Sequence, residues 1–148
     1  MTTVRRLLEV KGGKGNFSVP TDATVLDALK VMHEAKIGAV LVTEDKKIVG
    51  IYTERDYLEK GELEGKTARS TLLKDVMTKD MYTVTLDTST EQCMALMNEH
   101  HFRHLPVVDN DHLVGIVSIR DVLAVMLEHK ESEIKGLENY IMGSGFAG

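Results

Sequence analysis

A single cysteine, Cys93, stands in a chain of 148 residues. No intramolecular disulfide is therefore available, and a reducing compartment is expected. Cys93 falls in a run of helical character, "STEQCMALMNEHH", where a small buried side chain is expected rather than a nucleophile. No apolar run reaches the roughly 18–20 residues that a membrane span requires. The opening stretch "MTTVRRLLEVKGG" lacks the apolar core and small-residue cleavage site of a secretion signal, so a cytoplasmic location and no membrane partner are expected. Positive charge is short as well, with 18 Lys and Arg against 23 Asp and Glu, a net charge of −5. Such a surface disfavours nucleic acid, and an anionic ligand must find a local cluster of cations. Catalytic signatures are missing too. There is no nucleophile elbow, no metal-ligand spacing and no carboxylate pair in an apolar setting, so no catalytic residue and no enzyme activity are expected.

What is present is ordinary in amount, 43% hydrophobic and 28% charged, and sufficient for one packed core. Its arrangement is not ordinary. "GIYTERD" (50–56) returns as "GIVSIRD" (115–121), and residues 17–60 align with 82–125 without a gap at an offset of 65. Val19 falls on Val84, Met32 on Met97, Val42 on Val107, and Arg55-Asp56 on Arg120-Asp121. One fold unit is used twice.

Each copy predicts a short strand (near 17–19 and 82–85), a helix, an apolar strand, a polar turn, a second strand and a closing helix. The helices are "TVLDALKVMHEAK" and "STEQCMALMNEHH"; the hairpins turn at "EDKK" and "NDH". The fold class is thus mixed α+β, two tandem β-α-β-β-α units, whose sheets expect cover from each other. Expected divisions are 1–16 (N-terminal helix and loop), 17–64 (first repeat), 65–81 (linker helix near "STLLKDVM" and lead-in), 82–130 (second repeat) and 131–148 (C-terminal helix and frayed tail). "GGKG" lacks the spacing of a phosphate-cradling loop.

The repeated heptad admits two readings. Thr53 and Ser118 open the closing helices, and Asp56 and Asp121 follow three residues later, as in a capping box worth about 1 kcal/mol. Gly50 and Gly115 then serve close packing. Yet Arg55 and Arg120, which no cap requires, precede both aspartates. A helix N-terminus suits phosphate, a hydroxyl can donate to it, and a carboxylate can accept two hydrogen bonds from a vicinal diol. Together these groups describe a ribose-phosphate site, and capping can coexist with it.

"VGIYTERD", "VGIVSIRD", "FRHLPVVD" (102–109) and the lead-in "DVMTKDMYTV" resemble the cystathionine-β-synthase (CBS) domain pair, the Bateman module, over about 17–128. The resemblance implies repeats packed about a pseudo-twofold axis, a small stand-alone bacterial type, and a homodimer. It implies adenosine ligands, AMP first, with NAD(H), ATP or S-adenosylmethionine as alternatives, and no catalytic cofactor. Asp56 and Asp121 would hold ribose hydroxyls, while Thr53, Arg55, Ser118 and Arg120 would face phosphate. Adenine would rest on Ile51, Tyr52 and Pro106 in one site, and on Ile116, Val117, Ile37, Gly38 and Ala39 in the other. Arg103 and His104 would complete the Asp56 site from across the repeats, and Lys36 would assist the Asp121 site. Because the second copy has "RHLP", basic and with a proline, and the first has "IGAV", apolar and small, the sites are expected to differ, with phosphate favoured at Asp56.

The expected role is a regulatory, energy- or redox-sensing module that signals to a protein partner; the alternative is a structural or adaptor dimerisation module. His100, His101 and His104 lack a carboxylate or Cys to complete a metal set, so no metal is expected. His129 and Glu133 read as a solvated helical pair, and the methionines as adaptable packing.

Overall fold

The polar turns set the architecture. In the computed structural model, which describes residues 1–12 and 18–141, Asp45 and Lys46 in one hairpin and Asn110 and Asp111 in the other all have positive φ. Two such residues in succession make the tight turn whose twist suits paired strands. The hairpins they close are β2 (Ala39–Glu44) with β3 (Lys47–Thr53), and β4 (His104–Asp109) with β5 (His112–Ser118). Each carries a register shift at the same place, between Val42 and Thr43 and between Val107 and Val108.

β1 (Ser18–Pro20) joins β2 in parallel, with Val19 opposite Val42. Its counterpart in the second repeat shrinks to one parallel bridge, Val84 opposite Val107. The strand expected over 82–85 is therefore a single bridge. Thr85 N–H is taken by Thr88 Oγ1 at 3.0 Å, which turns the chain away from the sheet. The expectations at 13–17 and at the 142–148 tail lie outside the described residues.

Four helices begin on capping boxes. α2 (Val25–Ala35) starts on Thr24 with Asp27, and α5 (Thr90–His100) on Ser89 with Gln92. α3 (Glu54–Asp56), continued as a π-helical segment over Tyr57–Glu62, starts on Thr53, and α6 (Ile119–Tyr140) on Ser118. α2 and α5 both stop on a left-handed residue, Lys36 and His101. The fold is thus mixed α+β with the duplicated order expected. One boundary differs: α6 runs unbroken through 131, because nothing in "EHKESEIK" interrupts helical hydrogen bonding. The linker helix is shorter than expected, one turn, α4 (Leu73–Val76).

Alternation along β2 and β3 explains their continuous apolar runs. Val40, Val42 and Tyr52 face the core of the first repeat with Val25, Ala28 and Met32. Ala39, Leu41 and Ile51 face the other way and meet Ile116 of the second repeat in a third cluster. Both faces are covered, so neither can be polar. Val107, Val117, Cys93 and Met97 form the second core, where burial pushes the Cys93 thiol up to about 11.

The remaining helices are exchanged. α1 (Val4–Lys11) precedes the first repeat but inserts Val4 and Leu7 into the core of the second. α4 precedes the second repeat but places Leu73 and Val76 in the core of the first. The heptad glycines make room for both. A Cβ on Gly50 would lie 2.5 Å from Met77 Sδ, and one on Gly115 would lie 2.9 Å from Leu8 Cδ2. No helix among the described residues is long and apolar enough to cross a membrane.

Candidate functional site

The two capped helix starts, α3 and α6, open onto one cleft of about 930 Å³ between the repeats. Ala39, Ile51 and Ile116 of the inter-sheet cluster line its apolar part. Thr53, Arg55, Asp56, Ser118, Arg120, Asp121, Lys36, Ile37, Gly38, Arg103 and His104 line it as well. Fourteen of the seventeen residues singled out in the sequence are therefore brought together. Tyr52, Val117 and Pro106 are not among the lining residues. Tyr52 and Val117 alternate with Ile51 and Ile116, so their side chains point into the two repeat cores and the adenine-facing role expected of them is corrected. Burial pushes the Tyr52 phenol up to about 12, with the Asp56 charge adding to the effect. Pro106 is fully buried opposite Ile116.

The capping boxes are fully formed. Asp56 Oδ2 accepts from Thr53 N–H at 3.0 Å and Thr53 Oγ1 accepts from Asp56 N–H at 3.1 Å. Asp121 Oδ2 accepts from Ser118 N–H at 2.7 Å and Ser118 Oγ from Asp121 N–H at 3.2 Å. A carboxylate offers about four acceptor positions, so a cap leaves capacity for a ligand. Around that shared frame the halves diverge. Asp56 also receives Thr78 Oγ1, at 3.3 Å to Oδ1, and lies 3.4 Å from Lys60 Nζ. Lys60 Nζ in turn donates to Val76 O (3.2 Å) and Thr78 Oγ1 (3.0 Å), tying the lead-in segment to the first repeat. At Asp121 the cation is Lys11, whose Nζ lies 2.8 Å from Asp121 Oδ2 and 2.8 Å from Ile116 O. The arginines adjacent in sequence, Arg55 and Arg120, are exposed, and the ion-pair partners of the two aspartates are lysines instead.

The expected exchange of partners across the repeats needs correction at His104. Hairpin register sets His104 opposite Ser118, and Ile119 N–H donates to Arg103 O at 2.9 Å. The first repeat does the same, with Glu54 N–H donating to Gly38 O at 3.1 Å. His104 therefore belongs with Asp121. Burial, then the charge of Lys11, and more weakly that of Arg103, push its imidazole down to about 4 against the opposing pull of Asp121. It is neutral at pH 7.

Several lining residues had no place in the sequence reading of the site: Lys11, Glu54, Thr78, Asp80, Met81 and Phe102. Thr78 carried a signal, since it lies in the lead-in "DVMTKDM"; Lys11, 110 residues from Asp121, carried none. His100 stacks on Tyr82 with ring centroids 4.1 Å apart. Among the described residues no group of three or more His, Cys, Asp or Glu could hold a metal.

A duplicated unit is also what comparison with known proteins finds. The family model described as the CBS domain matches residues 14–62 and again 73–128. The chain belongs to the CBS-domain family. CBS domain-containing protein CBSX3, mitochondrial, of Arabidopsis thaliana is 39% identical over 151 residues, covering 96% of this chain and 73% of that protein. A CBS-domain containing protein from Agrobacterium tumefaciens superimposes with a TM-score of 0.78 at 36% identity, over 84% of this chain and 99% of that one. The solved structure of CBSX2 in complex with AMP matches with a TM-score of 0.71 at 28% identity, over 88% and 99% of the two chains. The CBS pair is a regulatory module, and no enzyme family is indicated.

Proposed function

We propose that this CBS pair binds an adenine nucleotide of the AMP or NAD(H) type in the cleft between its repeats and passes the occupancy on to a protein partner. The observation that carries the reading is the placement of Asp56 and Asp121, with Thr53 and Ser118, at two helix N-termini lining one cleft. Each offers the positive end of a helix dipole for phosphate, beside a carboxylate for a diol. Ile51 and Ile116 offer apolar surface for a base. That CBSX2 is found with AMP supports adenosine as the ligand class. Signalling requires that ligand favour one arrangement of the repeats over another. Homodimerisation is part of the proposal: α6 exposes Leu123, Leu127, Ile134 and Leu137 along its length, an apolar stripe suited to a second copy.

The test is a thermal-shift titration with AMP, ATP, NADH and S-adenosylmethionine on the wild type, Asp56→Ala and Asp121→Ala. Ligand at a hundred times its dissociation constant stabilises by about 2.7 kcal/mol, roughly 5–10 °C for a chain of this size. A specific shift removed by an aspartate change upholds the reading. A wild type that none of the four shifts at millimolar concentration leaves the adaptor reading, in which the heptads are chiefly helix caps.

A further inference from the structure

The two cleft aspartates hold the same place in the heptad but carry different loads. Asp121 has both side-chain partners on one oxygen, where Oδ2 accepts from Ser118 N–H at 2.7 Å and from Lys11 Nζ at 2.8 Å. Among the described residues nothing engages its Oδ1, and its side chain, 21% exposed, lines the cleft. That oxygen keeps about two acceptor positions for a diol.

Asp56 is engaged on both oxygens. Its Oδ2 accepts from Thr53 N–H at 3.0 Å, and Thr78 Oγ1 lies 3.3 Å from Oδ1 and 3.4 Å from Oδ2. Lys60 Nζ lies 3.4 Å from Oδ1, and the Asp56 side chain is the more buried of the two, at 12% exposure. Lys60 Nζ is itself fixed by Val76 O and Thr78 Oγ1, so a ligand reaching Asp56 has to undo the whole brace. A ribose hydroxyl is a neutral donor and does not offset the loss of an ammonium.

Charge points the same way. Ile119 N–H donates to Arg103 O, which sets the exposed Arg103 beside the start of α6, and Arg120 lines the same cleft. In the first repeat Gly38 takes the place of Arg103, and a Cβ there would lie 3.7 Å from Cδ of Glu54. A carboxylate thus stands at the first half where a guanidinium serves the second, and phosphate is drawn toward Asp121.

Resting on the nucleotide reading above, we propose that Thr78 and Lys60 are specificity-determining residues that close the Asp56 half to ribose. The chain then takes one nucleotide, with its sugar on Asp121 and its phosphate toward Arg103 and Arg120. Asp56 serves as a brace that holds residues 76–78 to the first repeat. The phosphate preference is the reverse of the one expected from sequence, because Arg103 stays with the helix start of its own repeat.

Isothermal titration with AMP and with 2′-deoxyadenosine 5′-monophosphate tests this. The wild type binds one AMP per chain, about tenfold or more tightly than the deoxy compound, which lacks one donor to the charged acceptor. These two readings need no variant. The preference for AMP is lost in Asp121→Asn, which keeps an acceptor for the cap. Variants are scored by the ratio of the two affinities, which a partly unfolded population lowers equally and leaves unchanged. A preference that survives Asp121→Asn, or one that is lost in Asp56→Asn, overturns the proposal while leaving the proposed function intact. Two equivalent AMP per wild-type chain, or equal affinity for the two nucleotides, do the same. Absence of binding of either nucleotide to the wild type overturns the proposal together with the AMP reading on which it rests.

Discussion

The halves around Asp56 and Asp121 share their hairpin, capping box and Arg-Asp pair and differ in the charges that surround them. Strand register, bulge, turn, capping box and close-packed glycine recur at an offset of 65 residues. Yet Glu54 stands where the second copy has Ile119, and Gly38 where it has Arg103. Glu54 and Asp80 line the cleft, as do Lys11, Arg103 and Arg120. The comparison teaches that duplication preserves what the fold needs from hydrogen bonding and packing, whereas the electrostatics of each half were free to separate. Lys36 and Arg55 balance Glu54 and Asp56 on the first-repeat side, whereas Arg103 and Arg120 outweigh Asp121 on the second, so the basic excess lies with the second repeat.

The contrast can be broken first at the exchanged helices. Leu7 and Leu73 are both fully buried, one in each core. Leu73→Ala and Leu7→Ala should each cost about 2–5 kcal/mol, measured by urea unfolding. A cost near zero for Leu7→Ala would show that α1 is not docked on the second repeat.

A titration sharpens the comparison next, because the Asp121 half contains a half-buried histidine, His104, held in its neutral form. The folded-state pKa of His104 is lowered to about 4, below its unfolded value of 6.5. Its neutral form is therefore the stable one. The contribution is whole above pH 6.5 and is lost as pH falls from 6.5 toward 4, up to about 3 kcal/mol. Chemical denaturation across this window, compared with His104→Gln, should show a flatter profile in the variant.

The glycines come third. Gly50→Ala drives a methyl group against the Cβ, Cγ and Sδ of Met77, and Gly115→Ala meets only the outer atoms of Leu8. Both should destabilise by about 1–3 kcal/mol, the first more than the second, by the same unfolding measurement. The caps give the smallest effect. Thr53→Ala and Ser118→Ala each remove one capping acceptor and should cost about 1 kcal/mol alike. A much larger loss at Ser118 would reveal a role beyond the cap.

The duplicated order, both hairpins and the caps at Thr53 and Ser118 were legible, because turn chemistry and caps are local and were written twice; the capping boxes at Thr24 and Ser89 went unread. The orientation of Tyr52 was not. Strands buried on both faces are apolar at every position, so alternation leaves no mark in "IVGIYT" to tell the cleft side from the core side. The assignment of His104 to the Asp56 half came from the family resemblance and failed on register, which ties residue 104 to Ser118. Lys11 was hidden for a third reason. It meets Asp121 only after α1 crosses to the far repeat, and no periodicity reports a contact 110 residues long.

That crossing also bears on how the chain comes to be folded. Synthesis delivers α1 first, whereas its docking surface on β5 and α6 is made last. Throughout translation the amphipathic segment Val4–Lys11 waits without its partner, while the first repeat awaits Leu73 and Val76 to fill its own core. Neither half can reach its finished state alone, and the long loop that joins α1 to its seat must be closed in the final step. The exchange of two short helices thus turns a tandem repeat, which could have folded as two beads in succession, into a single cooperative event.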